Sequence, residues 1–332
     1  RNDFSRLVRR FVKSDDYCMP AFVEAFTDVE TGHGNIRYIC GSDGFTLRDL
    51  VSYNEKHNER NGEDNRDGEN ENFSWNCGEE GESKDPEVLR LRRRQARNFL
   101  TILFLSQGTP LLSMGDERWN TRRGNNNPYC CDDADGWMNW GPEDGAEEVL
   151  QFVKALSAFR SAHPVLRRRA AFKGTDDRSC GYPDLSLHGA EAWRPEIGNF
   201  AHTLGWLLRE DLPEEADCRE QAPQLLYIGI NTYWEPRRLA LPRPPKGTAW
   251  DIVINTDDER GFLPGINTLR DSTEILLAPR SIVVLKLTPV RTHTAGRRHL
   301  WDDHAPFLNG RKTHIDMRQL SPRIKERLYR LR

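Results

Sequence analysis

The stretch Asn35–Leu50, NIRYICGSDGFTLRDL, contains the pattern on which the fold prediction rests. An apolar run over 36–40 stops at a polar corner, Gly-Ser-Asp-Gly at 41–44, and a helix-like segment follows. A short run of β-branched and aromatic residues that ends at glycine predicts a strand. The Asp43 carboxylate therefore lies where that strand ends. It could also be the N-cap of the following helix, so two roles are open for it at this point.

The segments around this corner predict further helices and one more strand. Apolar spacing predicts helices over about 4–12 and 146–162, with a connector from residue 13 to Gly34. Asp85-Pro86 is a helix start signal, and we expect a helix over about 88–106 whose apolar second half is buried.

A short buried strand within 109–117 is predicted next, and it ends at a second acidic corner, Gly115-Asp116-Glu117. Strands that alternate with helices predict parallel βα units and an α/β fold. Polar loops with carboxylates at the C-terminal ends of parallel strands are typical of the active-site face of a (β/α)8 barrel. The sequence therefore predicts that residues 1–164 are the end of such a TIM barrel.

After Pro164 the pattern changes to short runs rich in Val, Ile, Leu, Trp and Tyr, separated by Pro, Gly and Asp. This pattern predicts an all-β domain over 165–288, an antiparallel β-sandwich of six to eight strands. The tail 289–332 has no strand pattern, and residues 315–331 are predicted to form one basic helix.

Composition excludes several classes of partner. The chain has 332 residues, of which 37% are hydrophobic and 30% charged, and its net charge is −3. No window approaches the ~20 apolar residues of a membrane span, so we expect no membrane partner. The tail 289–332 carries eleven Lys/Arg and four Asp/Glu, or +7, which leaves −10 for the rest. An acidic body gives no reason to expect nucleic acid.

Neither a metal nor a cofactor is predicted. The seven cysteines have an odd count and irregular spacing, which argues against a disulfide framework and against zinc. The loop Glu63–Ser74 imitates the first half of an EF-hand calcium loop through Asn65, Asp67 and Gly68. Its twelfth position is Ser74 rather than the bidentate Glu that calcium requires, so the match is incomplete.

Six aromatic residues lie in or beside the polar loops. Flat aromatic faces suit the C–H faces of sugar rings, and neighbouring polar groups suit the hydroxyls. Packing within the loops explains any single one equally well. These residues are Tyr53, Trp75, Trp119, Tyr129, Trp137 and Trp140.

Three segments closely resemble the isoamylase-type starch and glycogen debranching enzymes of the α-amylase superfamily. They are DGFTLRDLVSYNEKHNERNGEDNRDGENENFSWNCGEEGE (43–82), RRQARNFLTILFLSQGTPLLSMGDE (93–117) and GNNNPYCCDD (124–133). The resemblance is strong over 1–165, weaker over 165–288, and absent in the tail. It implies a retaining α-1,6-glucosidase that acts on branched α-glucan and needs no cofactor.

The resemblance also implies roles for individual residues. Asp43 corresponds to the family's Asp in a His-Asp-Gly-Phe motif, which holds sugar hydroxyls and stabilises the transition state. Asp116 and Glu117 correspond to a corner that shapes the pocket. Asn125-Asn126-Asn127 and Tyr129 correspond to a loop near the substrate groove.

Two departures from the family bear on activity. The motif's His is Ser42 here, which removes one donor to sugar hydroxyls. The family's nucleophile and general acid belong to earlier barrel strands, and we expect both to be absent from this chain. Asp43 alone cannot hydrolyse a glycosidic bond by the two-carboxylate route.

Two functions therefore remain open: part of a debranching enzyme, or a non-catalytic isoamylase subunit that binds α-glucan or has a regulatory role. The resemblance further implies a homo- or hetero-oligomer with other isoamylase subunits. It implies a plastid stroma in a plant or alga and the cytoplasm otherwise.

Overall fold

The computed structural model describes residues 2–29, 35–142, 144–210, 222–269 and 272–290. These residues belong to one compact unit, which ends at Val290. The helix predicted over 315–331 lies outside the described residues. Within them, no helix is both long enough and apolar enough to cross a membrane.

The described residues form five α-helices: α1 Asn2–Lys13, α2 Met19–Thr27, α3 Leu47–Leu50, α4 Pro86–Leu105 and α5 Ala146–Ala162. Helix α4 begins where the start signal predicts, because the Asp85 carboxylate accepts a hydrogen bond from Glu87 N at 2.9 Å and Pro86 occupies the first turn. Helix α5 has the bounds that its apolar spacing predicts.

The prediction of a connector between α1 and residue 34 is wrong for residues 19–27. Helix α2 forms there with Pro20 in its first turn. Its Phe22 and Phe26 lie one turn apart, so both rings face the core, where they are buried. A segment this short gives too few apolar positions for the periodicity to stand out.

The two predicted parallel strands form, but each is only two residues long. Strand β1, Ile36–Arg37, pairs in parallel with β2, Thr109–Pro110. The strand stops early because the Ile39 carbonyl accepts side-chain hydrogen bonds from Ser5 Oγ at 2.6 Å and Arg9 Nη2 at 2.7 Å. Helix α1 thereby takes an acceptor that a longer strand would need for a neighbouring strand.

Eight further strands follow. Six form an antiparallel sheet in the order β3-β4-β5-β10-β7-β8, and β6 pairs with β9 in a second sheet. Their bounds are β3 Leu185–His188, β4 Thr203–Arg209, β5 Leu225–Asn231, β6 Arg237–Ala240, β7 Thr248–Asn255, β8 Thr268–Leu269, β9 Glu274–Leu277 and β10 Ser281–Pro289.

The six-stranded sheet is buried on both faces. Along β10, Ile282 and Val284 belong to the hydrophobic cluster that contains the helices. Val283 and Leu285 belong to a second cluster with residues of β6 and β9, such as Leu239. Because successive strand residues point to opposite faces, one strand contributes to both cores. The helices therefore cover one face of the six-stranded sheet, and the β6–β9 sheet covers the other.

Helix α4 is attached to the sheet region by polar side chains as well as by apolar packing. Arg94 Nη1 donates to Pro279 O at 2.9 Å, and Arg97 Nε donates to Thr256 O at 3.0 Å. Burial lowers the pKa of Arg97 to about 10. The helix that the sequence predicts to be buried through its apolar half is therefore also buried through its arginines.

The cysteines form no disulfide framework within the described residues, but one of them is paired. Cys18, Cys40, Cys77, Cys130 and Cys131 are free. Cys180, however, is disulfide-bonded. Irregular spacing along the chain does not exclude a single bond between cysteines that the fold brings together.

Candidate functional site

A cavity of about 610 Å³ lies at the polar corner that follows β1. Ser42, Asp43 and Gly44 form one wall, and both Ser42 and Asp43 are exposed to it. The remaining walls come from α1, from residues in and beside β1 and β2, and from the two long polar loops. They are lined by Ser5, Arg6, Arg9, Ile36, Tyr38, Gly41, Gly68, Glu69, Glu71, Asn72, Leu111, Asn126 and Asn127.

Asp43 is not the N-cap of the following helix. Thr46 has that role, because its Oγ1 accepts a hydrogen bond from Asp49 N at 3.1 Å at the start of α3. The Asp43 carboxylate therefore remains available to a ligand in the cavity. Of the two roles that the sequence leaves open for Asp43, the capping role is wrong.

Three hydrogen bonds hold the backbone of the corner from outside, and a fourth holds Leu47 N at the start of α3. All four come from the segment 113–126, which follows β2. They are Ser113 Oγ to Gly41 O at 3.3 Å, Arg122 Nη1 to Ser42 O at 3.3 Å, Gly44 N to Asn126 O at 2.9 Å, and Leu47 N to Asp116 Oδ1 at 2.8 Å. The position of Asp43 therefore depends on a segment about 70 to 80 residues away in the chain.

Asp116 and Glu117 lie outside the cavity wall. Asp116 is 4% exposed, and its carboxylate accepts the Leu47 N–H, which ties the second acidic corner to the first. Burial raises the pKa of Asp116 to about 7. Glu117 is half-buried, and its Oε2 accepts from Gly115 N at 3.0 Å. In this structure both carboxylates have partners that hold the corners together.

Asn125 and Asn126 are both 2% exposed, and their amides are used within the protein. Asn125 exchanges hydrogen bonds with the Asn61 amide at 2.7 and 3.3 Å. Asn126 Nδ2 donates to Glu69 O at 2.7 Å and to Asn72 Oδ1 at 3.0 Å. Sequence reasoning did not identify Asn61 or Asn72, although the asparagine-rich composition of their loop was visible.

The six loop aromatics fall into two groups. Tyr129, Trp137 and Trp140 are 85%, 60% and 71% exposed, so their faces can contact a ligand. Tyr53 and Trp119 are buried in the core. Trp75 is half-buried beneath the guanidinium of Arg280, which lies 4.5 Å from its ring centre. For these last three residues the packing interpretation applies.

The residues that imitate a calcium loop have protein partners. Asp67 Oδ2 accepts from Asn61 Nδ2 at 2.7 Å and from Asn127 Nδ2 at 2.8 Å. These two amide donors, Asn61 first, lower the pKa of Asp67. Asn65 Oδ1 accepts from Asn58 N at 2.9 Å. Across the described residues, no group of three or more His, Cys, Asp or Glu is arranged to hold a metal ion.

The cavity combines features that suit a polyhydroxylated ligand. Asp43, Glu69 and Glu71 supply carboxylates, and Arg6 lies 3.5 Å from Glu69. Arg9 is already bonded to the carbonyls of Ile39 and Asn72, so it shapes the wall more than it offers free donors. Carboxylates and amides can hold sugar hydroxyls, while Ile36, Tyr38 and Leu111 offer apolar and aromatic surface.

No protein-family model matches the chain. Known proteins are nevertheless similar to it. A glycogen operon protein GlgX homolog of Mycobacterium tuberculosis is 51% identical over 261 residues, which are 76% of this chain and 36% of that protein. The chloroplastic isoamylase SU1 of Zea mays is 36% identical over 267 residues, 77% of this chain and 31% of that protein. The chain thus spans about a third of the length of these relatives.

Solved structures share the fold at low sequence identity. The GBS pullulanase SAP superposes with a TM-score of 0.57 at 14% identity, over 86% of this chain and 38% of that one. Type I pullulanase of Bacillus subtilis gives a TM-score of 0.55 at 17% identity, over 83% and 32%. These matches show a shared fold. The sequence relatives confirm the resemblance seen in the sequence: the chain belongs to the isoamylase-type debranching-enzyme family of the α-amylase superfamily.

Proposed function

We propose that this chain is the C-terminal part of an enzyme that hydrolyses α-1,6-glucosidic branch points in starch- or glycogen-like α-glucan. The observation that carries the proposal is the cavity with Asp43 at its wall, in a chain that is 51% identical to a GlgX homolog. The polar and apolar lining of this cavity supports a glucan as the ligand.

We assign β1 and β2 to the last two strands of a (β/α)8 barrel. Their parallel pairing and the carboxylate that follows β1 support this assignment. Several large apolar side chains beside this strand pair are exposed, as expected if further strands normally pack against them. Ile36 is 51% exposed, Leu111 43% and Met114 74%. Further barrel strands from a polypeptide of the relatives' length would cover them.

In this assignment Asp43 accepts hydrogen bonds from sugar hydroxyls and stabilises the positive charge that develops in the transition state. Retaining hydrolysis also needs a nucleophile and an acid/base carboxylate about 5–5.5 Å apart. We assign both to the part of the polypeptide that this chain does not span. Ser42 offers a neutral hydroxyl at the place of the family's His and leaves the electrostatic contribution to Asp43.

The second candidate is a non-catalytic subunit that binds α-glucan and associates with other isoamylase subunits. The replacement of His by Ser42 favours it. The exposed Asp43 carboxylate fits both candidates, because it can accept hydrogen bonds from sugar hydroxyls with or without catalysis. The compartment, a plastid stroma or a bacterial cytoplasm, belongs to the proposal in either form.

The test measures the release of reducing ends from amylopectin. It compares this chain with a polypeptide of the relatives' length that contains it, each with and without Asp43→Asn. We expect activity only in the longer polypeptide, and a loss of roughly 10²–10³-fold in its Asp43→Asn variant, because a preorganised group at developing charge is removed. The matched control is Asp64→Asn, whose carboxylate is 86% exposed and outside the cavity, and which should retain full activity.

Affinity electrophoresis in amylopectin gels separates the two candidates. A longer polypeptide that is retarded in the gel but releases no reducing ends would be the binding subunit. Activity of this chain alone that is lost on Asp43→Asn would reject our assignment of the other carboxylates to a missing part. Absence of both binding and hydrolysis in the longer polypeptide would reject the glucan function.

A further inference from the structure

The side chain of Asn58 is completely buried and makes three hydrogen bonds. Its Nδ2 donates to Asn126 Oδ1 at 2.8 Å and to Asp67 O at 2.9 Å. Its Oδ1 accepts from Asn126 N at 3.0 Å. The amide of Asn58 therefore contacts both the backbone and the side chain of Asn126, and it fixes that residue in two directions.

Asn126 in turn holds the corner that carries Asp43. The Asn126 carbonyl accepts the Gly44 N–H at 2.9 Å, one residue after Asp43. Asn126 cannot satisfy a different partner by reversing its own amide, because its Nδ2 already donates to Glu69 O and Asn72 Oδ1, which are both acceptors. Only a group at position 58 that donates to Oδ1 and accepts from N–H fits this arrangement.

The backbone around this contact is shaped for close approach. Gly68 has φ +72°, and a Cβ on it would overlap Asn126 Oδ1 and lie 2.7 Å from Asn58 Nδ2. A residue with a side chain at position 68 would therefore push the two amides apart. The three residues come from two loops and act as one clamp.

We infer that Asn58 is a positioning residue for Asp43: through Asn126 it sets the place of the Gly41–Gly44 corner, and thereby the affinity of the cavity for glucan. The inference rests on the proposed function for its last step only. The clamp itself is a statement about the protein without ligand, so it can be tested separately.

The test variant is Asn58→Asp, which keeps the shape but at neutral pH replaces a donor with a charged acceptor opposite Asn126 Oδ1. The matched control is Asn98→Asp. Asn98 is 4% exposed and, like Asn58, makes three side-chain hydrogen bonds. Its Nδ2 donates to Gln95 Oε1 and Arg280 O, and its Oδ1 accepts from Thr256 Oγ1. It lies in α4 against the sheet region, away from the clamp. Both variants bury a carboxylate, and only one touches the clamp.

Hydrogen exchange measured by mass spectrometry on the purified chain follows the peptide that contains Gly44. At pH 7.5 we expect this peptide to exchange about tenfold faster in Asn58→Asp than in the wild type, as for the loss of one buried hydrogen bond, and to be unchanged in Asn98→Asp. Affinity for amylopectin, from gel retardation, should weaken by a similar factor in Asn58→Asp alone.

Acidification gives a second readout that a general loss of stability would not produce. Around position 58 the charged groups are Lys56, whose Nζ donates to Asp67 O, and the carboxylates of Asp67 and Glu69. Burial and these carboxylates make an Asp at position 58 easier to protonate than in water, so acidification from pH 7.5 to pH 5 increases its neutral fraction. A protonated Asp at that position can donate to Asn126 Oδ1. At pH 5, the ratio of the exchange rate of the Gly44 peptide in Asn58→Asp to that in wild type should therefore fall toward one.

Three outcomes would overturn the inference: unchanged Gly44 exchange in Asn58→Asp, equal acceleration in both Asp variants, or faster exchange with unaltered glucan affinity. A wild-type chain and a longer polypeptide that both fail to bind amylopectin would reject the proposed function instead. The exchange result would still decide the clamp.

Discussion

The polar corner after β1 and the six-stranded antiparallel sheet are built in opposite ways. Around the corner, Asn58, Asn61 and Asn126 form a network of side-chain amides, and the strands beside it are two residues long. In the sheet, β4 and β5 are seven residues each and almost entirely buried, and the apolar residues of β10 alternate between two cores.

The difference shows what each type of contact can do. Apolar burial is strong and non-directional, so it stabilises the sheet without fixing any single atom. Hydrogen bonds are individually weaker but directional, so a saturated network can fix a backbone corner in place. The chain uses apolar packing for stability and amide contacts to hold the segment that presents Asp43.

The largest effect is expected where the helices meet the sheet. Trp206 is completely buried in β4, with its ring 5.8 Å from that of Phe22 and 5.3 Å from that of Phe26. Trp206→Ala should lower the free energy of unfolding by about 3–5 kcal/mol, because it leaves a large cavity between α2 and the sheet. Urea denaturation followed by circular dichroism measures this.

Trp206→Phe is the control for that prediction. The Trp206 Nε1 has no hydrogen-bond partner among the described residues, so Phe removes volume and no hydrogen bond. We expect the loss to be less than about 2 kcal/mol. Equal losses for Ala and Phe would show that the ring does not fill this interface.

A smaller effect is expected in the clamp. Gly68→Ala places a Cβ against Asn126 Oδ1 at a positive φ, and we expect a loss of about 2–3 kcal/mol together with weaker glucan binding. Gly62→Ala is the matched control: its φ is +80°, and a Cβ there would meet nothing within 4 Å. The control isolates the backbone strain, which is about 1 kcal/mol. Identical results for both variants would mean that the amides yield to the added methyl group.

The last effect depends on pH and concerns Asp116. Its folded pKa of about 7 lies above the ordinary value of 3.8, so folding favours the protonated acid. The contribution of Asp116 to the free energy of unfolding is therefore greatest below pH 4. It falls as pH rises to about 7 and does not change further above that pH.

Asp116→Asn keeps an acceptor for Leu47 N and removes the titration. The stability of the variant relative to wild type should therefore increase by about 3–4 kcal/mol between pH 4 and pH 8, measured by denaturation at several pH values. Asp64→Asn, at an 86% exposed carboxylate, serves as the control and should show no such trend. A flat difference for Asp116→Asn would contradict the raised pKa.

The sequence predicted those elements whose pattern is long or sharply bounded. Helix α5 has the predicted limits, and α4 begins at the predicted Asp85-Pro86 signal. Helix α2 was missed because nine residues hold too few turns for a period to appear. The length of β1 was overestimated because the Ile39 carbonyl is taken by Ser5 and Arg9, and no local pattern reveals that contact.

The site was predicted in outline but not in its contacts. Ser42, Asp43 and Asn126 line one cavity, although the Asn126 amide is already bonded within the protein. Asp116, Glu117 and Asn125 do not line this cavity and have partners within the protein. Tyr129 is exposed, as a ligand contact requires. Whether these residues bind glucan stays a prediction.

By itself the sequence determined the family, the α/β order followed by β-strands, and the carboxylate at the corner after β1, because each depends on residues that are neighbours in the chain. Only the tertiary structure decided that Thr46 caps α3, that Asp116 is buried, and that Asn58 holds Asn126. These roles are set by burial and by partners up to 70 residues away, and a hydrogen bond has no counterpart in local sequence until folding brings donor and acceptor within about 3 Å.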